Sequence, residues 1–282
     1  MNLRFSDVNS VQTELEKRSA PLALVPTMGA LHDGHLALLR AAREKVGPQG
    51  TVAISIFVNP IQFDRPEDLS SYPTPLDHDL ALCAKEGVDL AFTPEASSLY
   101  LPDHSTLVTE SLLTNHLCGA TRPGHFDGVL TVVLKLLNIF QPSLAIFGQK
   151  DFQQLALIRR MVRDLNIRTE IIAHPTVREP DGLALSSRNR KLTPAHRADA
   201  PRIRRALLAA RDLSHTGEQN PQTYLDAARH HLLKDAPSDF RIDYLQLVDS
   251  VTLQPVAKVT SPVTLATACF FDQVRLIDNI QI

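Results

Sequence analysis

Cysteine is scarce in this sequence, long apolar runs are missing, and neither sign of charge prevails by much. The 282 residues hold three cysteines, Cys83, Cys118 and Cys269, with no C-x-x-C spacing. That pattern fits a reducing compartment and argues against a disulfide framework or a thiolate zinc site, so all three are read as packing residues. No stretch approaches the roughly 18 apolar residues of a membrane-spanning helix, and none is expected to meet a membrane. The opening MNLRFSDVNSVQTELEK has no apolar core of a secretion signal, so a cytoplasmic location is the expectation. Lys and Arg number 29 against 31 Asp and Glu, a formal charge of -2. No global field therefore favours nucleic acid or anionic lipid, and partners must be argued locally. Repeats and low-complexity tracts are lacking too. What is present, 44% apolar and 21% charged residues, suits a globular chain that buries a substantial core.

Short apolar runs alternate with helical patterns through the first two-thirds of the chain, the signature of β-α-β units on a parallel sheet. Leu22 to Val25, Val52 to Phe57, Val88 to Phe92, Leu144 to Phe147 and Thr169 to Ala173 are of strand length. Most lack strict alternation, which predicts a sheet covered on both faces. Between them, Leu36, Leu39 and Ala42 recur at helical spacing, as do Val129, Val132, Val133, Leu136 and Leu137, and then Leu155, Ile158, Val162 and Leu165. After His174-Pro175 comes a polar loop, VREPDGLALSSRNRKLTP, then two Ala/Leu/Arg-rich helices separated by SHTGEQNP, then strands near 244–248, 263–268 and 274–280. The expected organisation is an α/β domain with a parallel sheet over 1–176 and a smaller α+β domain over 177–282.

Four segments carry chemistry. Pro26-Thr27-Met28-Gly29-Ala30-Leu31-His32-Asp33-Gly34-His35 leaves the first of these strands and enters the first of these helices. Strand carboxyl ends in open α/β sheets bind ligands, and a helix N-terminus offers N–H groups and a positive dipole end to phosphate. His32 and His35 share a helical face. Such a pair suits phosphate contact, a metal, or plain solvation, and metal is disfavoured because no third ligand stands at a helpful spacing. In Asn59-Pro60-Ile61-Gln62-Phe63 a buried strand ends in a loop whose Gln62 offers both donors and an acceptor. Gly148-Gln149-Lys150-Asp151-Phe152-Gln153-Gln154 repeats the strand, glycine and polar helix start, aiming Lys150 at an anion site, unless Asp151 merely caps it, and setting Gln154 one turn in. Leu185-Ser186-Ser187-Arg188-Asn189 follows Asp181-Gly182 and sets two hydroxyls and a guanidinium on a connection able to close over phosphates, though such loop chemistry is often only structural.

With these residues assembled, the sequence resembles the pantoate–β-alanine ligase family across essentially its whole length. PTMGALHDGH is similar to that family's HIGH motif, SSRN stands at its KMSKS-like loop, and NPIQF, RPGHFDGV and KDFQQL match its intervening signatures in order. The resemblance implies a Rossmann-like nucleotidyltransferase domain, a C-terminal lid domain and a homodimer. It further implies that ATP activates pantoate as pantoyl adenylate, releasing pyrophosphate, and that β-alanine then gives pantothenate and AMP. By the same resemblance, Met28, Gly29, Ala30, Leu31, His32, Asp33, Gly34, His35, Gly148, Gln149, Lys150, Asp151, Val177, Leu185, Ser186, Ser187 and Arg188 contact ATP. His35 is the expected proton donor, and His32, Lys150, Ser186, Ser187 and Arg188 share the catalytic set. Pantoate would rest against Pro26, Met28, Val129, Val132, Val133 and Phe147, with Gln62 and Gln154 on its polar end. Mg²⁺ would be held chiefly by the triphosphate and water.

Gln149 stands where the family often has glutamate, and His78, in Asp77-His78-Asp79, where relatives can carry an acidic cluster, which weakens a metal assignment there. The nearest alternative is a HIGH-motif nucleotidylyltransferase acting on another small acceptor. An ATP-binding regulatory module without turnover is a rival of another class. An aminoacyl-tRNA synthetase is disfavoured by the short chain and the lack of a basic RNA-binding extension.

Overall fold

The apolar runs of the first two-thirds all become strands. The structure, a computed structural model, describes residues 3–64, 66–260 and 262–282. Strands β1 (Leu3–Phe5), β2 (Leu22–Thr27), β3 (Thr51–Ile56), β4 (Leu90–Phe92), β5 (Leu144–Gly148) and β6 (Glu170–His174) make one sheet in the order β1-β4-β3-β2-β5-β6. Every pairing is parallel. The edge strand β1 was not expected: its Leu-Arg-Phe triplet carries no apolar run, and it pairs only with β4.

Both faces of the sheet are covered, as the lack of alternation requires, and β3 is buried at every position. On one face Ala23, Val25, Val52, Ile54 and Ile146 pack with Leu36, Leu39 and Ala42 of the Asp33–Val46 helix and with Cys83. On the other, Phe92 meets Phe140 of the His125–Phe140 helix edge to face, ring centroids 5.7 Å apart. The stripe expected on the Phe152–Asp164 helix is shifted. Leu155, Leu157, Ile158 and Met161 are the buried apolar side chains, whereas Leu165 is 52% exposed. Leu165 lies past the helix end, where Asn166 takes a left-handed φ of 53°.

Strand β2 is the topological switch point, since β3 lies on one side of it and β5 on the other. It pairs with β5 only at Ala23↔Leu144 and Leu24↔Ala145, although β2 continues to Thr27 and β5 to Gly148. Their carboxyl ends therefore part, leaving the crevice where such sheets bind ligands.

The chain divides into two units. One comprises Met1–Glu110, Pro123–Gln149 and Leu157–Pro175, and the other Ser111–Arg122, Lys150–Ala156 and Thr176–Ile282. The second unit holds the whole C-terminal third and two earlier segments that no composition shift marks. Its antiparallel sheet runs β7 (Phe240–Asp249), β8 (Val263–Phe271), β9 (Val274–Gln281), under the helices Arg202–Asp212 and Pro221–Leu233. The middle strand β8 is buried throughout, with Leu207, Tyr224, Ala228, Leu265 and Phe271 in one core. Arg202 donates to the carbonyls of Leu232, Lys234 and Asp235, at 2.8, 3.1 and 2.9 Å, and so caps the end of the neighbouring helix. Cys83 and Cys269 are buried as expected of packing residues, while Cys118 is half-buried.

Candidate active site

The turn from Pro26 to His35 is held from behind by a residue far away in sequence. Asp79, 1% exposed, accepts the Ala30 N–H on Oδ2 and the Leu31 N–H on Oδ1, both at 2.8 Å. Gly29 has φ +81°, and a Cβ there would lie 2.9 Å from Asp79 Oδ2 and 3.0 Å from Ile56 Cγ2. Glycine is thus required both by conformation and by space. The Thr27 hydroxyl accepts from Gly29 N–H at 3.2 Å and donates to the Ser55 carbonyl at 2.8 Å, tying the turn to β3. Ala30 and Leu31, expected among the nucleotide contacts, are 1% exposed with their N–H groups turned inward. They shape the turn.

The helix start differs from a bare anion site in an informative way. His32 is the N-cap: its Nδ1 accepts from Gly34 N–H at 3.1 Å, and His35 Nδ1 accepts from His32 N–H at 3.4 Å, a capping box built of two imidazoles. The N–H groups of His32, Gly34 and His35 are therefore taken locally. An Nδ1 that accepts leaves the ring proton on Nε2, so each imidazole takes a backbone hydrogen bond at one edge and is a donor at the other. The rings lie 4.1 Å apart at 33°. This relay extends the donor character of the helix N-terminus by the width of a ring, and Asp33 beside it is exposed.

Gln62 is buried at 8%, not solvated. Asn59 organises it: Asn59 Nδ2 donates to Gln62 Oε1 at 2.9 Å and to the Gly128 carbonyl at 3.0 Å, while the Tyr100 hydroxyl donates to Asn59 Oδ1 at 2.9 Å. Burial pushes the Tyr100 phenol pKa up, keeping it a donor. Gln62 Nε2 points at Met28 Sδ, 3.0 Å away, and His125 Nδ1 donates to the Gln62 carbonyl at 2.7 Å. Gly128 permits this approach, because a Cβ would lie 2.6 Å from the Ile61 carbonyl oxygen. Gln62 and Met28, both assigned to pantoate from the sequence, thus meet. Val129, Val132, Val133 and Phe147 are all buried, and Pro26 is half-buried. A cavity of ≈ 370 Å³ opens beside Met28 and Gly29, and its other walls include Arg4, Phe57, Val58, Leu76, Thr93 and Pro94 but not Val129, Val132 or Val133.

In the second unit, three residues expected at the nucleotide converge. Lys150, Ser186 and Arg188 line one narrow cleft together with Asn189, Arg275 and Asp278. Lys150 Nζ lies 3.8 Å from Asp151, a loose pair. Ser186 caps a short 3-10 turn, Ser187–Lys191, through its Oγ, which accepts from Arg188 N–H at 3.3 Å. The stretch before it, expected as a polar loop, is a small bonded hairpin. Leu185 N–H donates to the Val177 carbonyl at 3.0 Å, Arg178 bridges to Ala184, and Gly182 takes φ +89° at the turn. Arg178 clamps Asp278 with both Nη atoms, at 2.7 and 2.9 Å, and Asp181 pairs with Arg197 at 2.6 Å. Backbone pairing here satisfies groups that a loose loop would leave to water.

Gln154 also belongs to the second unit and is half-buried, whereas its neighbour Gln153 is buried and braces the chain by accepting from Gly119 N–H and donating to the Leu113 and His116 carbonyls. Gly148 has open space where a Cβ would go, and Gln149 is exposed. Asp79 and Asn59 were missed by sequence reasoning. Asp79 had no local signal beyond an acidic helix start, and Asn59 only its place at a strand end. Among the described residues, no group of three or more His, Cys, Asp or Glu is set to hold a metal ion, and Asp77 and His78 are exposed.

Comparison with known proteins bears on this arrangement. The family model for pantoate-beta-alanine ligase matches residues 4–281. The pantothenate synthetase of Akkermansia muciniphila is 50% identical over 261 residues, 93% of this chain and 92% of its own length. The crystal structure of pantothenate synthetase from Thermus thermophilus superposes with a TM-score of 0.92 at 44% identity, covering 99% of each chain. That of the pantoate-beta-alanine ligase from Francisella tularensis, complexed with beta-gamma ATP and beta-alanine, has a TM-score of 0.81 at 34% identity, over 99% of this chain and 97% of that one. A match of this extent, on a sheet whose switch point carries the paired histidines, places the chain in the pantoate–β-alanine ligase family.

Proposed function

We infer that this chain joins pantoate to β-alanine at the expense of ATP, through a pantoyl-adenylate intermediate. The observation that carries the reading is the histidine capping box at the carboxyl end of β2, in a chain matched by the ligase family from residue 4 to 281. A pantoate carboxylate oxygen attacks the α-phosphorus of ATP, the bond to the bridging oxygen breaks, and pyrophosphate leaves. The β-alanine amine then attacks the acyl carbon, expels AMP and gives up a proton.

The first step brings a carboxylate to an already anionic phosphate, so it needs oriented donors and positive charge and no covalent nucleophile. In this reading Nε2–H of His32 and His35 supplies hydrogen bonds to the phosphates, that of His35 to the departing pyrophosphate oxygen. Lys150, Ser186, Ser187 and Arg188 add charge and hydroxyls, while Met28, Gly29, Asp33, Gly34, Gly148, Gln149, Asp151, Val177 and Leu185 surround the nucleotide. Gln62, held by Asn59, and Gln154 bond the pantoate hydroxyls and carboxylate, with Pro26, Val129, Val132, Val133 and Phe147 toward its methyls.

Mg²⁺ would be carried chiefly by the triphosphate and water and would offset phosphate charge, while Asp79 spends both carboxylate oxygens on backbone N–H groups. We further propose that residues 177–282 act as the lid, that the enzyme is a homodimer, and that it works in the cytoplasm. The deciding experiment is pyrophosphate release over a panel of hydroxy acids, with and without β-alanine. Release that requires pantoate, with pantothenate formed only when β-alanine is added, is the expected result. Transfer of AMP to some other acceptor would instead favour a nucleotidylyltransferase, and no release at all a regulatory module.

A further inference from the structure

We propose, on the ligase reading above, that Tyr100 is a positioning residue of the pantoate site: its hydroxyl holds Asn59, and through Asn59 it turns the NH₂ end of the Gln62 amide toward the acid. Tyr100 follows the short Ala96–Leu99 helix, 41 positions beyond Asn59, and its hydroxyl donates to Asn59 Oδ1 at 2.9 Å. Packing sets where that hydroxyl arrives. The ring meets His104 edge to face at 4.9 Å and Phe57 at 6.3 Å, and Lys135 Nζ lies 5.4 Å from its centre.

The polarity of this line of hydrogen bonds follows from a group that can only accept. Asn59, 1% exposed, donates through Nδ2 to the Gly128 carbonyl at 3.0 Å, so its NH₂ end must face Gly128. Its Oδ1 therefore faces Tyr100, and the phenol must be the donor. The same Nδ2 donates to Gln62 Oε1 at 2.9 Å, which fixes the sense of the second amide. Nε2 is then the other branch of Gln62, 3.0 Å from Met28 Sδ, a weak acceptor that an oxygen of the acid can replace. The backbone of Gln62 is pinned as well, because His125 Nδ1 donates to its carbonyl at 2.7 Å. With both ends of the Asn59 amide bonded, neither amide can turn without breaking a bond. Without the phenol oxygen, Oδ1 would be buried with no donor, and rotation of Asn59 toward a new partner would release Gln62. A side chain that binds substrate is only as well oriented as the residues holding it, so the loss reads out as substrate affinity.

The competing view is that Tyr100 only packs and satisfies a buried asparagine. Calorimetry with pantoate and with ATP on native protein, Tyr100→Phe, Gln62→Ala and the double variant separates the two. Tyr100→Phe keeps the ring and removes the oxygen, so pantoate should bind roughly threefold to tenfold more weakly, the share of one neutral hydrogen bond, with ATP affinity unchanged. Steady-state kinetics should show the KM for pantoate rising more than kcat falls. In Gln62→Ala nothing is left to position, so adding Tyr100→Phe should cost no further pantoate affinity. Native pantoate affinity in folded Tyr100→Phe, or an equal further loss in the double variant, overturns the proposal. If Tyr100→Phe does not fold, Gln62→Glu decides. It sets an anionic acceptor where Asn59 places a donor and should weaken pantoate roughly a hundredfold by like-charge repulsion, and native affinity there overturns the proposal. Native protein that binds no pantoate and releases no pyrophosphate would refute the ligase reading and the proposal together, whereas normal native turnover with unaltered pantoate affinity in Tyr100→Phe refutes the proposal alone.

Discussion

Asp79→Asn tests whether the turn that leads into the paired histidines depends on a buried carboxylate. The native side chain accepts two backbone N–H bonds of 2.8 Å in a site 1% exposed. Asparagine retains one carbonyl oxygen but opposes the other N–H with an NH₂ group. One charge-assisted bond, worth about 1.5–3 kcal/mol, is lost, and the other becomes neutral. A buried N–H left without an acceptor costs about 1–3 kcal/mol, overlapping with the first loss, so the net destabilisation is expected at about 2–4 kcal/mol. Because the turn carries Met28 through His35, a displacement of about 1 Å would also lower kcat/KM for ATP by about 10²-fold. The direct assay is amide hydrogen exchange at Ala30 and Leu31, with urea unfolding of native and variant protein alongside. Both amides should lose protection and the urea midpoint should fall. Unchanged exchange at both amides, with an unchanged midpoint, would refute the clamp. Gly29→Ala offers an independent check, since its Cβ would meet Asp79 Oδ2 at 2.9 Å with φ at +81°.

Three further outcomes are expected. His35→Ala should slow single-turnover formation of pantoyl adenylate on the order of 10²–10³-fold with ATP binding changed much less, and a near-native rate would remove His35 from the chemistry. Gln62→Ala and Gln154→Ala should each weaken pantoate far more than ATP in calorimetry, because polar groups built to bond hydroxyls are left unpaired; unchanged pantoate affinity in both would mean the acid pocket lies elsewhere. Burial pushes the Cys83 and Cys269 thiols up to about 12, so at pH 8 both stay protonated and native protein should expose only Cys118 to a thiol reagent. Rapid labelling of Cys83 or Cys269 without denaturant would contradict that burial.

What the sequence determined by itself is whatever depends on neighbours in the chain. Uninterrupted apolar runs marked β2, β3 and β5 as buried on both faces, because burial on two sides removes the alternation that a wet face imposes. The i, i+3 spacing of His32 and His35 set their shared face, and the reciprocal cap follows from that spacing. A resemblance across the whole chain supplied the chemistry those residues serve. Tertiary structure decided what depends on partners distant in sequence. Nothing near Asp79 predicts that its oxygens reach residues 48 and 49 positions earlier, since only the packing of its helix beside β2 brings them together. The three-residue β1 is a strand only because β4 offers it an edge to pair with. Likewise Lys150 and the Ser186-Ser187-Arg188 loop, read singly, could as well be a surface lysine and a structural loop. Separate stretches of chain must fold into the second unit before Lys150, Ser186 and Arg188 line one cleft.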